Sequence, residues 1–212
     1  MTIGNPDILP QREQVRRLTN TELFNGQDAL MRDKSFLVDI AAACDDAYRT
    51  SEIDRLTSSG QPVEDWLQAP LFSDAERTIL SSVPAQGDTD QQQMYDKAHQ
   101  KLAMGLPGFY ALSEGLGMIA EDNPTNSFQA SDTLQAVIAG TENERERNIM
   151  SRLAHVAWAA GQPYRNRETR PVMKPWDKLP PEEKHKDMVQ IRAAAKILSS
   201  RLSPTSPPTP TT

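Results

Sequence analysis

Apolar residues recur at intervals of three and four along most of this chain, and glycine or proline separates the segments that carry them. Such spacing places apolar side chains on one stripe of an α-helix, and no strand-rich region stands out. The clearest stripe, within residues 33–56, consists of Phe36, Leu37, Ile40, Ala41, Cys44, Ala47 and Tyr48. Further helical segments are residues 75–83, 91–104 and 109–120 and the stretches beginning at Ser131 and Thr141. The sequence therefore predicts an all-α fold, a bundle of several helices.

A proline-bracketed segment precedes the last predicted helix, and it reads Pro175-Trp176-Asp177-Lys178-Leu179-Pro180-Pro181-Glu182-Glu183-Lys184. Pro181 suits the first helical turn, because the N–H group that it lacks would have no partner there. Glu182 and Glu183 follow where the helix dipole favours negative charge. We expect a stiff arm that places Trp176 and Leu179 against the helices beneath it.

The pattern P-W-D-x-L-P-x-E-x-K in this segment resembles the ryanodine receptor repeat domain, a small helical module that also occurs in bacterial and phage proteins. The likeness covers about residues 143–199 and includes an upstream helix with His155 and Trp158. Val156 stands where the family has an acidic residue, and the loop 159–172 lacks the Gly/Trp pair of many members. The resemblance implies a module that senses nucleotide-like ligands, as has been suggested for bacterial members.

The charge is unevenly distributed along the chain. From Thr141 onward there are 13 Lys and Arg against 8 Asp and Glu, whereas the preceding residues have 10 against 21. Such segregation indicates either two modules or one protein with an acidic and a basic solvated face. We divide the chain into a flexible arm (1–20), an acidic helical region (21–140), a repeat-like module (141–202) and a disordered Pro/Thr/Ser tail (203–212). Residues 33–83 parallel the order of elements in the module, so a second, degenerate copy of the module in that region remains an open alternative.

The remaining composition favours a soluble, cytoplasmic protein without a membrane segment. The single cysteine, Cys44, excludes an internal disulfide and, on an apolar stripe, is expected to be a buried thiol. The N-terminus lacks the basic and apolar regions of a secretory signal, and nowhere do 18 apolar residues run together. A net charge of −6 also makes nucleic acid an unfavourable partner.

No catalytic or metal-binding signature is present in the sequence. The three histidines fall on different predicted helices, without the spacing of a zinc site, and we expect neither a metal nor a cofactor. Asp45 and Asp46 are adjacent on a helix, so we assign them to a solvated edge. Gly115 and Gly117 lack the strand and lysine of a phosphate loop, and close helix packing explains them better. We therefore predict that the protein is not an enzyme.

One group of residues predicts ligand binding, and most of its members belong to an arginine-rich loop, residues 164–170. Arginine can fork onto a phosphate while an aromatic ring stacks on a base. The predicted ligand-binding residues are Tyr164, Arg165, Arg167, Arg170, Lys174, Trp176 and His155, and the structural ones are Trp158, Leu179 and Pro181. In the alternative interpretation, Trp158 and Trp176 are core residues and the arginines lie in solvent beside Glu168.

The helix beginning near Thr141 is expected to bury Ile149, Leu153, Val156 and Ala160, flanked by Met150 and Ala157, with Ser151, His155 and Trp158 on its opposite side. A tryptophan opposite the main face implies a second contact, for which Trp176 or Leu179 is the natural partner. The sequence thus favours a non-enzymatic module that binds a phosphorylated, nucleotide-like ligand or a protein partner through the arginine-rich loop. The alternative is a structural or interaction protein that docks through its acidic helical N-terminal region.

Overall fold

The described part of the protein is built from helices alone, which confirms the predicted all-α class. The structure, a computed structural model, describes residues 18–82, 84, 87–123, 129–161 and 174–203. Its α-helices are α1 (Asn20–Leu30), α2 (Lys34–Ser58), α3 (Asp74–Leu80), α4 (Thr89–Gly105), α5 (Pro107–Asp122), α6 (Ala130–Ala139), α7 (Glu144–Gly161) and α8 (Pro181–Leu202). Two short 3₁₀ helices, Asp65–Gln68 and Trp176–Lys178, precede α3 and α8.

Side-chain caps determine where several of these helices begin. Ser73 and Glu76 form the predicted capping box of α3, with Glu76 N–H donating to Ser73 Oγ at 3.3 Å and Ser73 N–H donating to Glu76 Oε2 at 2.9 Å. Asp33 caps α2 by accepting from the N–H of Ser35 at 2.9 Å. At α8, Pro181 is the first helical residue, as expected.

Two helix starts differ from the sequence prediction, and in both a cap explains the difference. Helix α1 lies in a stretch for which no helix was predicted, and Thr19 and Glu22 form a capping box at its start. Helix α7 starts at Glu144 rather than at Thr141, because Asn143 accepts from the N–H of Glu146 at 3.0 Å and Glu146 accepts from that of Asn143 at the same distance. Each side chain satisfies a backbone donor that the helix leaves free.

The first residues of α6 also differ from the prediction. Ser131 was expected to cap the helix, but α6 begins at Ala130 after Gln129, so Ser131 lies within the first turn and is buried. The backbone N–H of Ala130 instead donates to the side-chain oxygen of Asn20 at 2.7 Å, which ties the start of α6 to α1. At the start of α6, a hydrogen bond from another helix therefore takes the place of the predicted local cap.

One hydrophobic core joins the helices on both sides of the predicted division at residue 140. Buried residues run from Leu23 in α1 to Leu198 in α8 within a single cluster. Helix α5 packs against α7 and α8, and α8 also packs along α2. At the centre, the rings of Phe36 and Phe109 meet edge to face with centroids 5.5 Å apart. The division into modules stays a prediction, but a shared core spans it.

Close approach of α5 to its neighbours depends on glycine. A Cβ at Gly108 would lie 2.8 Å from the Cβ of Gln190 in α8, and one at Gly115 would lie 2.7 Å from Cγ of Met150 in α7. At Gly117, by contrast, a Cβ would have no atom within 4 Å. The predicted role in helix packing therefore fits Gly115 and not Gly117.

The buried side of α7 agrees with the predicted one only in part. Ile149 and Leu153 pack against the core and the flanking Met150 is buried, but Val156 on the predicted face is 59% exposed. Ala154, Ser151 and His155 are buried instead. The polar members of the buried side have partners: Ser151 Oγ donates to the backbone oxygen of Arg147 at 2.8 Å, and His155 bonds to the segment before α8. Because their hydrogen bonds are made within the protein, these side chains can be buried at little cost.

Cys44 is buried as predicted, and its Sγ lies 3.4 Å from the backbone oxygen of Gln190. Burial raises the pKa of this thiol to about 12, with the negative charge of Asp45 acting in the same direction. The thiol is therefore not poised to act as a nucleophile. Within the described helices, none has an apolar stretch long enough to span a bilayer.

Candidate functional site

A cavity of about 620 Å³ lies where α2, α7, α8 and the 3₁₀ helix Asp65–Gln68 meet, and we call it the central cavity. Its volume falls in the range of small-molecule sites in proteins, about 300–1,000 Å³. The lining residues are Asp45, Tyr48, Glu64, Trp66, Met104, His155, Trp158, Leu179, Glu183, Lys186, Asp187 and Gln190. They come from segments far apart in the sequence, so packing of the helices creates the cavity.

Aromatic rings form much of the wall of the central cavity. Tyr48 comes from α2, Trp66 from the 3₁₀ helix, and His155 and Trp158 from successive turns of α7. The rings of His155 and Trp158 are stacked, with centroids 6.0 Å apart and planes at 29°. Trp66 is 53% exposed, and its indole N–H donates to the Glu64 carboxylate. A planar ligand could stack on several of these faces.

The charged groups of the central cavity are mainly acidic. In the described part of the chain, four carboxyl groups line it, from Asp45, Glu64, Glu183 and Asp187, against the single ammonium of Lys186. That ammonium is already paired, with its Nζ 2.9 Å from Glu183 Oε1 and 3.2 Å from Glu52 Oε2. The cavity therefore favours ligands that bring positive charge or N–H donors.

Asp187 is the least satisfied of these carboxyl groups. Its Oδ2 is screened from solvent and has no hydrogen-bond partner among the described residues. The pKa of Asp187 is raised to about 7, chiefly by burial and then by the negative charge of Glu183, while Lys186 acts in the opposite direction. Buried polar atoms are rarely left unpaired in proteins, so this oxygen requires an explanation.

Asp45 also has a raised pKa, and the first cause is burial. The charge of Arg49, which pairs with Asp45 one turn along α2, acts against that rise. The expectation that Asp45 lies on a solvated edge was therefore wrong, while Asp46 is indeed exposed. The sequence contained part of this signal, since Asp45 and Tyr48 are three residues apart and share a face of α2.

His155 fixes one wall of the central cavity. Its Nε2 lies 2.9 Å from the backbone oxygen of Lys174, and because a carbonyl can only accept, Nε2 carries the hydrogen. This bond ties α7 to the proline-bracketed segment, where Leu179 is buried and also lines the cavity. Of the predicted ligand-binding residues, His155 thus takes part in the cavity and also supports it.

Trp176 lies at a different place, a more open groove of about 870 Å³ beside α7. Lys184 Nζ lies 4.1 Å from its ring centroid and Arg152 Cζ 5.8 Å, so the ring contacts two cations. Arg152 also forks onto the Asp177 carboxylate at 2.9 and 3.1 Å. Trp176 and Trp158, which the sequence analysis placed together, therefore line separate sites.

The other predicted ligand contacts have mixed outcomes. Tyr164, Arg165, Arg167 and Arg170 lie outside the described residues, so their place in a site stays a prediction. The side chain of Lys174 is exposed. Sequence analysis missed the acidic residues of α8, although Glu183 and Asp187 are four residues apart and therefore neighbours on one helix face.

No metal centre is evident in the described ranges, where no three His, Cys, Asp or Glu side chains are arranged to hold an ion. Comparison of the chain with protein-family models, with curated proteins and with solved structures finds no match. The resemblance to the ryanodine receptor repeat thus stays a prediction, and what the protein does has to be argued from the central cavity.

Proposed function

We propose that this protein is a non-enzymatic binding module that takes the planar ring of a small ligand into the central cavity. The observation that carries the proposal is a cavity of about 620 Å³ walled by Tyr48, Trp66 and Trp158. Aromatic walls of this kind hold flat ligands by stacking, and a few polar groups then fix their orientation. Asp45 and Asp187 are the polar groups placed to do so.

A nucleotide-like ligand fits this arrangement when its two ends are considered separately. The base would stack in the central cavity and offer its N–H edge to carboxyl groups. The phosphate would be held by Arg165, Arg167 and Arg170, since the acidic cavity itself repels it. This second half of the proposal rests on the sequence and on the resemblance to the repeat family.

Titration with a panel of mono-, di- and cyclic nucleotides, followed by tryptophan fluorescence and calorimetry, tests the proposal. Trp66 and Trp158 line the central cavity, so binding there should change the fluorescence. We expect Trp158→Ala to weaken binding at least tenfold and Arg170→Ala to weaken it for phosphorylated ligands only. Trp176→Ala serves as the matched control, because Trp176 lines the other groove.

Two outcomes would redirect the proposal. If Trp176→Ala abolishes binding and Trp158→Ala does not, the ligand occupies the open groove rather than the central cavity. If no nucleotide or other ring ligand binds, the small-ligand proposal fails. The alternative, a protein that docks on a partner through its acidic helical region, would then take its place.

A further inference from the structure

The central cavity has a charge pattern that restricts which ligands can enter it. Among the described lining residues, carboxyl groups outnumber the one ammonium, and that ammonium, on Lys186, is engaged by Glu52 and Glu183. An anionic or acceptor-rich group placed beside Asp45 and Asp187 would meet like charge without a free cation among the lining side chains. A group that brings donors or positive charge would meet complementary partners.

The shape of the wall adds a second restriction. Tyr48, Trp66 and Trp158 line the cavity with aromatic rings, and the face of an aromatic ring attracts cations as well as other flat groups. Carboxyl groups beside such faces can bond in the plane of a flat ligand while the rings cover it from above and below. Aromatic faces with carboxylates at their edges are the usual surroundings of an organic cation in proteins.

Asp187 carries an oxygen for which the described part of the chain supplies no donor. This oxygen, Oδ2, is screened from solvent, and Lys186, whose charge acts on Asp187, is held by two other carboxylates. An unpaired buried oxygen of this kind costs free energy, about 1–3 kcal/mol in general. A ligand that supplies paired N–H donors would remove that penalty once the carboxyl group turns towards it.

We infer that the group entering the central cavity is a planar organic cation of the amidine or guanidine class, held by the Asp187 carboxylate and stacked on Trp158. The inference rests on the proposed function, because it names the chemical class of the ring-bearing end of the ligand. Asp45 supports the same cation from α2, and the apolar side chains of Leu179 and Met104 limit its size.

Benzamidine and benzamide provide the test, since they share size and shape and differ in charge. Dissociation constants are measured by protein NMR at pH 8, where Asp187 is mostly ionised. We expect benzamidine to bind at least tenfold more tightly than benzamide. Asp187→Asn should lower the affinity for benzamidine at least tenfold and change the affinity for benzamide less than threefold. Asp28→Asn, an exposed position on α1, a helix that supplies no lining residue, is the matched control and should change neither.

The outcomes separate this inference from the proposed function. If the two compounds bind equally well and both lose affinity in Trp158→Ala, the inference that the ligand is a cation is wrong, but the proposal that a ring binds in the cavity stands. Absence of binding by either compound would overturn the inference, and the nucleotide panel then decides the proposed function. If circular dichroism shows that Asp187→Asn does not fold, Asp45→Asn is used in its place. We expect Asp45→Asn to lower the affinity for benzamidine at least threefold. An unchanged affinity would contradict the inference.

Discussion

His155 Nε2 lies 2.9 Å from the backbone oxygen of Lys174, and this hydrogen bond joins α7 to the segment that leads into α8. The imidazole is buried and stacks on Trp158. A single side chain therefore holds the backbone of the proline-bracketed segment and shapes the wall of the central cavity. The stability of that wall should depend on His155 more than on the other histidines of the chain.

We predict that His155→Ala lowers the free energy of unfolding by about 1–3 kcal/mol, because it leaves a backbone carbonyl without its donor and opens a gap beside Trp158. Urea denaturation measures the loss. His185→Ala is the matched control, since His185 is exposed on α8 and its removal should change stability by less than about 0.5 kcal/mol. Equal effects of the two variants would show that the bond does not stabilise the fold.

Asp187 makes stability depend on pH near neutrality. Its pKa in the folded protein is about 7 against an ordinary value of 3.8, so the folded state keeps a proton that the unfolded state has released. The stability that comes from binding this proton is fully present below the pKa of Asp187 in the unfolded state and is lost as pH rises through about 7. Asp187→Asn should therefore match the parent near pH 4 and exceed its unfolding free energy by about 2–4 kcal/mol above pH 7.

Thermal or urea unfolding of the two proteins between pH 4 and pH 8.5 measures this difference. Asp28→Asn, exposed on α1, provides the control, and its free energy of unfolding should stay close to that of the parent. A gap between Asp187→Asn and the parent that does not grow with pH would mean that the Asp187 carboxyl is not held protonated by its surroundings.

The pKa of Glu142 shifts in the opposite direction, because two arginines bond one of its oxygens. Its side chain is fully buried, with Oε1 2.8 Å from Arg192 Nη2 and 3.0 Å from Arg147 Nε, while Oε2 has no partner among the described residues. Burial alone would raise the pKa of Glu142, but hydrogen bonds from Arg147, the backbone and Arg192 lower it overall. The stability that ionised Glu142 contributes to the fold is present above its pKa in the unfolded state, near 4.5, and is lost as pH falls through its pKa in the folded state.

Glu142→Gln should accordingly cost about 1–3 kcal/mol at pH 7 and less near pH 3, as unfolding by urea would show. Glu144→Gln, an exposed neighbour on α7, is the control. A cost that is as large at pH 3 as at pH 7 would contradict the ionised state assigned to Glu142.

Gly108 and Gly117 form a matched pair on α5. A Cβ at Gly108 would press against the Cβ and backbone carbon of Gln190, at 2.8 and 2.9 Å, whereas one at Gly117 meets open space. Gly108→Ala should destabilise by about 1–3 kcal/mol through overpacking. Gly117→Ala should stabilise by about 0.5–1 kcal/mol through helix propensity. Melting temperatures that move in the same direction would refute the close contact of α5 with α8.

The sequence predicts the helices well because their signals are local. Spacing of apolar residues located α2, and Ser73 with Glu76 marked the start of α3. The same capping pattern at Thr19 and Glu22 marks α1, but no apolar stripe follows it to draw attention. The start of α6 could not be predicted, because its first N–H bonds to Asn20 in a distant helix.

The central cavity was not predictable from the same signals. Asp45 and Asp187 come together only because α8 packs along α2, and nothing near either residue in the sequence records that packing. For α7, the predicted apolar side was right at Ile149 and Leu153 and wrong at Val156, because His155 and Ser151 find hydrogen-bond partners and can be buried. His155 was predicted as a site residue together with the arginine-rich loop, whereas its place in the cavity depends on Lys174 and Trp158.

The central claim is that the Asp187 carboxyl is the unpaired group that a cationic ligand satisfies. Its ¹³Cγ chemical shift, followed by NMR as a function of pH with and without saturating benzamidine, tests this directly. The pKa should be about 7 in the free protein and at least one unit lower in the complex, since a bound cation favours the ionised form. A pKa that is the same in both states would contradict the claim.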